Sequence, residues 1–371
     1  MKQFFFFHNK NIIFYILFSS LALWSPSAVF ADGAFQKNLP PNLIRVLAFD
    51  GGGIHGILSI KILTEIEKRA QRPIHELFDV IVGSSTGSIQ AVMLSKSKNG
   101  TREAEYTSQD VLNFYLTYGS KILTPSVWRR IWTLNGLLAP LFTHKNLDRY
   151  LKEFLGSIQL KQTLKPLIIS SYDTTTSNVF LFDSYNDSQK EILLKDIILA
   201  STSLPNIFPT FAMDFSDTTH YFVDSVLIDN NPIILALIRL KEIYPTTPKL
   251  VLSLGTGTFS FPHYVDPPKG EGLLYGPENW YNIISFGQEH QLNSLMKELQ
   301  NQKGFGLEYY FRLNPPLSHD DMSSPLNASP ENMAHLIDIA NTYIIDHSKE
   351  IDDLVEILLA HNNCIVKKEN K

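Results

Sequence analysis

With 371 residues, 44% of them hydrophobic and 12% aromatic, the chain carries enough apolar material for one large core or two ordinary ones. Charged residues make up 19% and the formal net charge is -5, with lysines and arginines scattered, which leaves no basic footprint for nucleic acid. No repeat or low-complexity tract is present, and one cysteine, Cys364, cannot form an internal disulfide framework.

The first informative segment is basic and then apolar. Lys2 and Lys10 flank Phe4 to Phe7, an apolar run extends from Ile12 to Leu23, and Val29-Phe30-Ala31 ends on a small residue. This order predicts a secretory signal peptide over residues 1–31, and hence a secreted or periplasmic protein. The run is short for a membrane anchor and no cluster of positive charge follows it. A Pro-containing linker then occupies residues 32–43.

Ile44 to Phe49 reads as a buried strand broken by Gly51-Gly52-Gly53, and Ile57 to Ala70 has helical periodicity. Val80 to Val82 is a second strand, Gly83 to Thr86 a turn, and a helix runs to about Ser95. Strand, glycine turn, helix, repeated, is the rhythm of an α/β sheet with parallel strands. Residues 107–155 read as mostly helical, interrupted from Ile122 to Phe142. Strands are predicted at Pro166 to Ser171, Val179 to Phe182 and Lys249 to Leu254, with a helix near Leu193 to Ser201. After residue 260 the pattern gives two amphipathic helices, roughly Asn282 to Gln300 and Pro330 to Ala360, and a strand near Tyr309 to Leu313. No linker divides this arrangement. The expected organisation is a core over 44–260 and a C-terminal helical extension over 261–371, packed on the same domain.

Gly83-Ser84-Ser85-Thr86-Gly87 fits G-x-S-x-G where a strand turns into a helix. A turn that sharp pushes the central serine out at the edge of the sheet, and only glycine tolerates the crowding on either side. The upstream Asp50-Gly51-Gly52-Gly53-Ile54-His55-Gly56 offers backbone N–H groups that could converge on a tetrahedral oxyanion. Gly51, Gly53 and Gly56 also satisfy G-x-G-x-x-G, so a dinucleotide- or lipid-binding module with a non-catalytic turn is the competing reading. Against it, the acid expected after the next strand is missing, since Asp79 precedes that strand. Asp224 follows an apolar run and precedes Asn230-Asn231-Pro232, which puts a carboxylate at a strand end, where partial burial would raise its pKa toward use as a base.

These motifs, together with Ala200 to Pro209 and Ser253-Leu254-Gly255-Thr256-Gly257, resemble the patatin-like phospholipase family over roughly residues 44–260, in the family's order. The resemblance implies a three-layer α/β/α fold with a mainly parallel sheet. It implies a Ser85–Asp224 dyad without histidine, an oxyanion loop at Gly51, Gly52 and Gly53, and hydrolysis of phospholipid or lysophospholipid esters. The chain departs from the family pattern at His55, usually Arg or Lys, at Asp224-Ser225-Val226, usually Asp-Gly-Gly or Asp-Gly-Ala, and at Ser88, commonly glycine.

None of the eleven histidines has a metal-ligating spacing, and neither metal nor cofactor is expected. His220, four residues before Asp224, is the candidate for a triad, but its position suits a strand or turn. Asp173, Asp183 and Asp229 read as solvated loop acids. Trp128-Arg129-Arg130-Ile131-Trp132 fits peripheral contact with a lipid surface, or equally a partly buried helix packed on the sheet.

Overall fold

The computed structural model describes residues 40, 42–134, 136–215, 218–259, 276–302, 304–318 and 324–369. Of these, 259, 276–283, 285, 286 and 361–369 are described by backbone alone. The predicted signal peptide, most of the linker and the side chain of Cys364 lie outside the described residues.

The chain opens with β1 (Ile44–Phe49), α1 (Gly56–Ala70) and a single turn, α2 (Ile74–Leu77). Next come β2 (Val80–Ser84) and α3 (Thr86–Ser95), then α4 (Ser108–Ile122), α5 (Val127–Trp132) and α6 (Lys145–Leu155). After β3 (Leu167–Asp173) and β4 (Asn178–Asp183) follow α7 (Leu194–Ser201), β5 (Phe211–Phe215), β6 (Thr218–Val223) and α8 (Ile233–Ile243). The remainder is β7 (Lys249–Leu254), β8 (Thr258–Phe259), α9 (Gly276–Asn301), β9 (Leu307–Leu313), β10 (Pro316–Leu317), α10 (Pro330–Asp346) and α11 (Ser348–Glu369).

Among the described residues eight strands form the central sheet, in the order β5-β6-β3-β2-β1-β7-β9 with β4 paired to β3. The five from β3 to β9 are parallel, while β4 and β6 pair antiparallel with β3, and β5 pairs antiparallel with β6. Strands β1, β2 and β7 are apolar and buried along nearly their whole length, as expected for parallel strands covered on both faces. On one face Val46, Ala48, Val82 and Val251 pack against Ile233, Leu237 and Leu240 of α8 and Met296 of α9. α3 lies on β1, β2 and β3, and α1 packs against α4, α10 and α11. The layers are therefore helix, sheet, helix. Among the described residues no helix is long and apolar enough to cross a membrane.

Register decides where the site must be. Phe49, the last residue of β1, lies opposite Gly83 of β2 on one side and Leu254 of β7 on the other. The three strands therefore end together, and the turns after them leave the sheet side by side. Chain order runs from β1 outward through β2 and β3, then returns to the other side of β1 as β7. This is the switch point at which open α/β sheets form their crevices.

Two details differ from the sequence expectation. The predicted helix from Pro330 to Ala360 is two helices, because the chain turns at His347, whose ring stacks on Tyr343 with centroids 3.8 Å apart. β9, after residue 260, hydrogen-bonds to β7 and so belongs to the central sheet itself.

Candidate active site

Ser85 sits at φ +50° and ψ -120°, between the end of β2 and the start of α3. A non-glycine residue seldom holds this conformation, and at a strand-to-helix turn it projects the side chain off the sheet edge. The flanking glycines are sterically required. A Cβ on Gly83 would lie 2.4 Å from the Gly87 carbonyl oxygen, and one on Gly87 would lie 2.5 Å from the Phe49 carbonyl oxygen. Hydrogen bonds fix the turn: the Ser85 N–H donates to Ser201 Oγ at 2.9 Å, and the Ser85 carbonyl accepts from the Ser88 hydroxyl at 2.5 Å. Ser88, one of the departures from the family pattern, thus helps to hold the elbow.

Asp224 follows β6 directly and is buried. Its N–H donates to the Ser203 carbonyl at 3.0 Å, and its Oδ1 accepts from the Val226 N–H at 2.9 Å. The Ser85 side chain neighbours this carboxyl closely enough to act on its ionisation. Burial raises the pKa of Asp224 to about 7, against the opposing pull of the Ser85 hydroxyl and the Val226 N–H. Ser225, where the family carries glycine, is fully buried, and its hydroxyl meets Ser84 Oγ at 3.2 Å and Ser170 Oγ at 3.0 Å. The extra hydroxyl ties the aspartate loop to β2 and β3.

The glycine loop closes over both. An added Cβ on Gly51 would lie 3.2 Å from Ser85 Cβ and 3.3 Å from Val226 Cγ2, so the loop, the serine and the aspartate turn meet at this one residue. Gly52 at φ +151° and Gly53 at φ +58° need glycine's freedom. The N–H of Gly51 is already committed to the Asn230 carbonyl at 2.9 Å, while among the described residues the N–H groups of Gly52 and Gly53 have no acceptor. Of the three glycines expected to supply oxyanion donors, two have a donor free.

His220 is elsewhere occupied: its Nδ1 is 2.7 Å from Asp173 Oδ2. The three aspartates read as solvated acids are not solvated. Asp173 and Asp183 are buried, the latter bound to Arg239 Nε at 2.7 Å. Asp229 Oδ2 is buried without a partner among the described residues, and burial, with Asp50 nearby, raises its pKa to about 7. His55 is buried at the start of α1.

Two residues stand out only in three dimensions. Thr256 donates its hydroxyl to the Gly51 carbonyl at 2.6 Å. Arg312, from β9, reaches beneath the glycine loop to Asp50, Glu289 and Ser253. An arginine near the end of a strand with buried Phe311 and Leu313 was the available signal, since a buried cation demands an acid.

A model of the family described as patatin-like phospholipase matches residues 47–237. Patatin-like protein 4 of Arabidopsis thaliana is 30% identical over 277 residues, spanning 67% of this chain and 68% of that protein. Patatin-T5 of Solanum tuberosum is 29% identical over 299 residues, spanning 71% and 75%. The chain spans 62% of the length of patatin-like protein 1 of Arabidopsis thaliana. Among solved structures, human GIVD cytosolic phospholipase A2 is similar at 11% identity and TM-score 0.45, over 87% of this chain and 61% of that one. With the elbow serine, the glycine loop and the aspartate turn meeting where β1, β2 and β7 end, and with the family's model matching the segment that builds them, the chain belongs to the patatin-like phospholipase family.

Proposed function

We propose that this chain is an exported serine hydrolase of the phospholipase A or lysophospholipase type, acting through Ser85 and Asp224. The observation that carries the reading is the convergence at Gly51 of the strained serine, the turn that carries Asp224 and a loop with two free N–H donors. Ser85 Oγ attacks the ester carbonyl carbon as its proton passes to the ionised Asp224 carboxylate. The N–H groups of Gly52 and Gly53 receive the developing oxyanion, each such donor being worth roughly 3 kcal/mol. Collapse of the intermediate breaks the ester C–O bond, and the leaving alcohol takes the proton from Asp224. Water then attacks the acyl-enzyme with Asp224 again accepting its proton, and that proton passes to Ser85 Oγ as the acyl C–O bond breaks and the fatty acid leaves.

The test is product analysis by mass spectrometry on a panel of phospholipids and lysophospholipids, with the Ser85→Ala protein alongside. Release of fatty acid by the parent chain and none by Ser85→Ala supports the reading. Lipid binding without any release would select the binding-module alternative. For that alternative the dinucleotide version has little support: the Cβ directions of Gly52 and Gly53 are filled by Thr256 and Pro325. Export rests on the sequence of residues 1–31 and is tested by N-terminal sequencing of protein recovered outside the cytoplasm. Contact with the membrane is proposed to be peripheral.

A further inference from the structure

α5 buries none of its residues. Val127, Trp128, Ile131 and Trp132 are 72%, 82%, 61% and 76% exposed, and in the turn that follows Leu137 and Leu138 are 80% and 69% exposed. So concentrated an apolar surface marks an interaction site. It is a built surface and not a loose one. Arg129 points inward, donating from Nε to the Leu141 carbonyl at 3.0 Å and from Nη2 to the Pro140 and Phe142 carbonyls at 2.7 and 3.0 Å. Thr133 is fully buried and bonds back to the Arg129 carbonyl at 2.8 Å.

The surface is strapped to the wall of the candidate active site. The Leu141 and Phe142 N–H groups donate to the Asn206 and Ile207 carbonyls at 2.9 and 2.8 Å. Three residues earlier, the Ser203 carbonyl holds the Asp224 N–H, and the Ser203 hydroxyl is 3.0 Å from His144 Nε2. On the other side of Asp224, Leu227 and Ile228 are 40% and 54% exposed. Apolar residues therefore flank the aspartate turn both in sequence and through the strap.

Charge selects the occupant. In a chain of net charge -5, α5 holds two arginines and no acid. Arg130 is exposed between the tryptophans, and its guanidinium has no partner among the described residues. Indoles at the depth of headgroups, with a cation between them for phosphate, are the chemistry of a lipid–water interface.

We propose that α5, its following turn and the Leu227–Ile228 edge dock this protein on a phospholipid surface and bring the candidate site to its substrate. This inference rests on the proposed lipid substrate, and the experiment separates the two. Full-length Ser85→Ala protein, which leaves the lipid intact, is mixed with phosphatidylcholine vesicles with and without phosphatidylglycerol. Sedimentation measures partitioning, and brominated acyl chains report tryptophan depth by quenching. Expected are binding strengthened by phosphatidylglycerol, quenching of the indoles, and about tenfold weaker binding for Trp128→Ala/Trp132→Ala at an unchanged melting temperature. Ile131→Asp should weaken binding as well. In protein with Ser85 intact, the paired tryptophan change should depress hydrolysis of vesicles and spare a soluble p-nitrophenyl ester. Vesicle binding unaltered by these changes, or no quenching of the parent, would overturn the proposal. So would a dimer in sedimentation velocity that only the patch variants dissolve, since the patch would then join two copies. Binding through the tryptophans without any release of fatty acid would overturn the hydrolase reading and leave the docking surface standing.

Discussion

Arg312 grips Asp50 through two parallel hydrogen bonds, Nη1 to Oδ1 at 2.9 Å and Nη2 to Oδ2 at 2.5 Å, across 262 residues of chain. Asp50 is the residue that turns β1 into the glycine loop, and burial raises its pKa to about 6 although Arg312 pulls the other way. The same guanidinium meets Glu289 at 2.6 Å and Ser253 at 2.9 Å, and Ser253 in turn accepts from Asn231 at 2.8 Å. Removing the cation leaves the buried Asp50 and the half-buried Glu289 facing each other. Arg312→Met is expected to cost about 3 kcal/mol or more in urea denaturation, and Arg312→Lys less, because lysine keeps the charge and loses the paired geometry.

The backbone at Ser85 yields a prediction that does not depend on chemistry. Ser85→Ala and Ser85→Gly should both lose labelling by a fluorophosphonate probe. Only the glycine variant relieves a φ of +50°, so it should be about 1 kcal/mol more stable than the alanine variant. Equal unfolding midpoints would mean that the turn stores no strain.

Asp224 must be ionised to accept a proton, so kcat/KM should rise with pH through about 7. Its effect on stability has the opposite sense. A carboxyl whose folded pKa lies above its ordinary 3.8 keeps its proton in the folded chain while the unfolded chain ionises. It therefore lowers stability progressively between about pH 4 and pH 7, and the full cost persists above that range. Asp224→Asn removes this cost. The variant should lose turnover by orders of magnitude, yet gain on the order of a few kcal/mol over the parent at pH 8 and little at pH 4. Denaturation curves at the two pH values measure the difference.

His220→Ala should keep substantial turnover, because the imidazole is bound to Asp173 and not to Asp224. The change leaves a buried carboxylate short of a partner, so its effect should appear as a lower melting temperature. A variant as inactive as Ser85→Ala, with an unchanged melting temperature, would restore histidine to the mechanism.

The elbow was legible because its steric requirement is written in residue types: only glycine fits where Gly83 and Gly87 sit against backbone carbonyls. The parallel strands were legible as unbroken apolar runs. β5 was not, since Phe211 to Phe215 alternates half-buried and exposed residues and has no fully buried position. The aromatic stretch around α5 was ambiguous in sequence, because a helix of tryptophans and isoleucines reads the same whether it meets the core or the solvent. Exposure alone separates the two. Ser225 looked like a defect in a glycine position. Its meaning depends on Ser84 and Ser170, which only folding brings to it.

The place of β9 in the sheet has a consequence for how the chain comes into being. Every residue of the recognisable motifs is synthesised before Arg312, and the family model's match ends at residue 237. A polypeptide stopped at residue 260 would possess β7 together with the serine, the glycines and the aspartate. It would lack both the strand that covers the free edge of β7 and the only cation within hydrogen-bonding distance of Asp50 among the described residues. On the ribosome the floor beneath the glycine loop is thus laid only after every motif it supports. A nascent chain holds its reactive groups unsupported until β9 has been made.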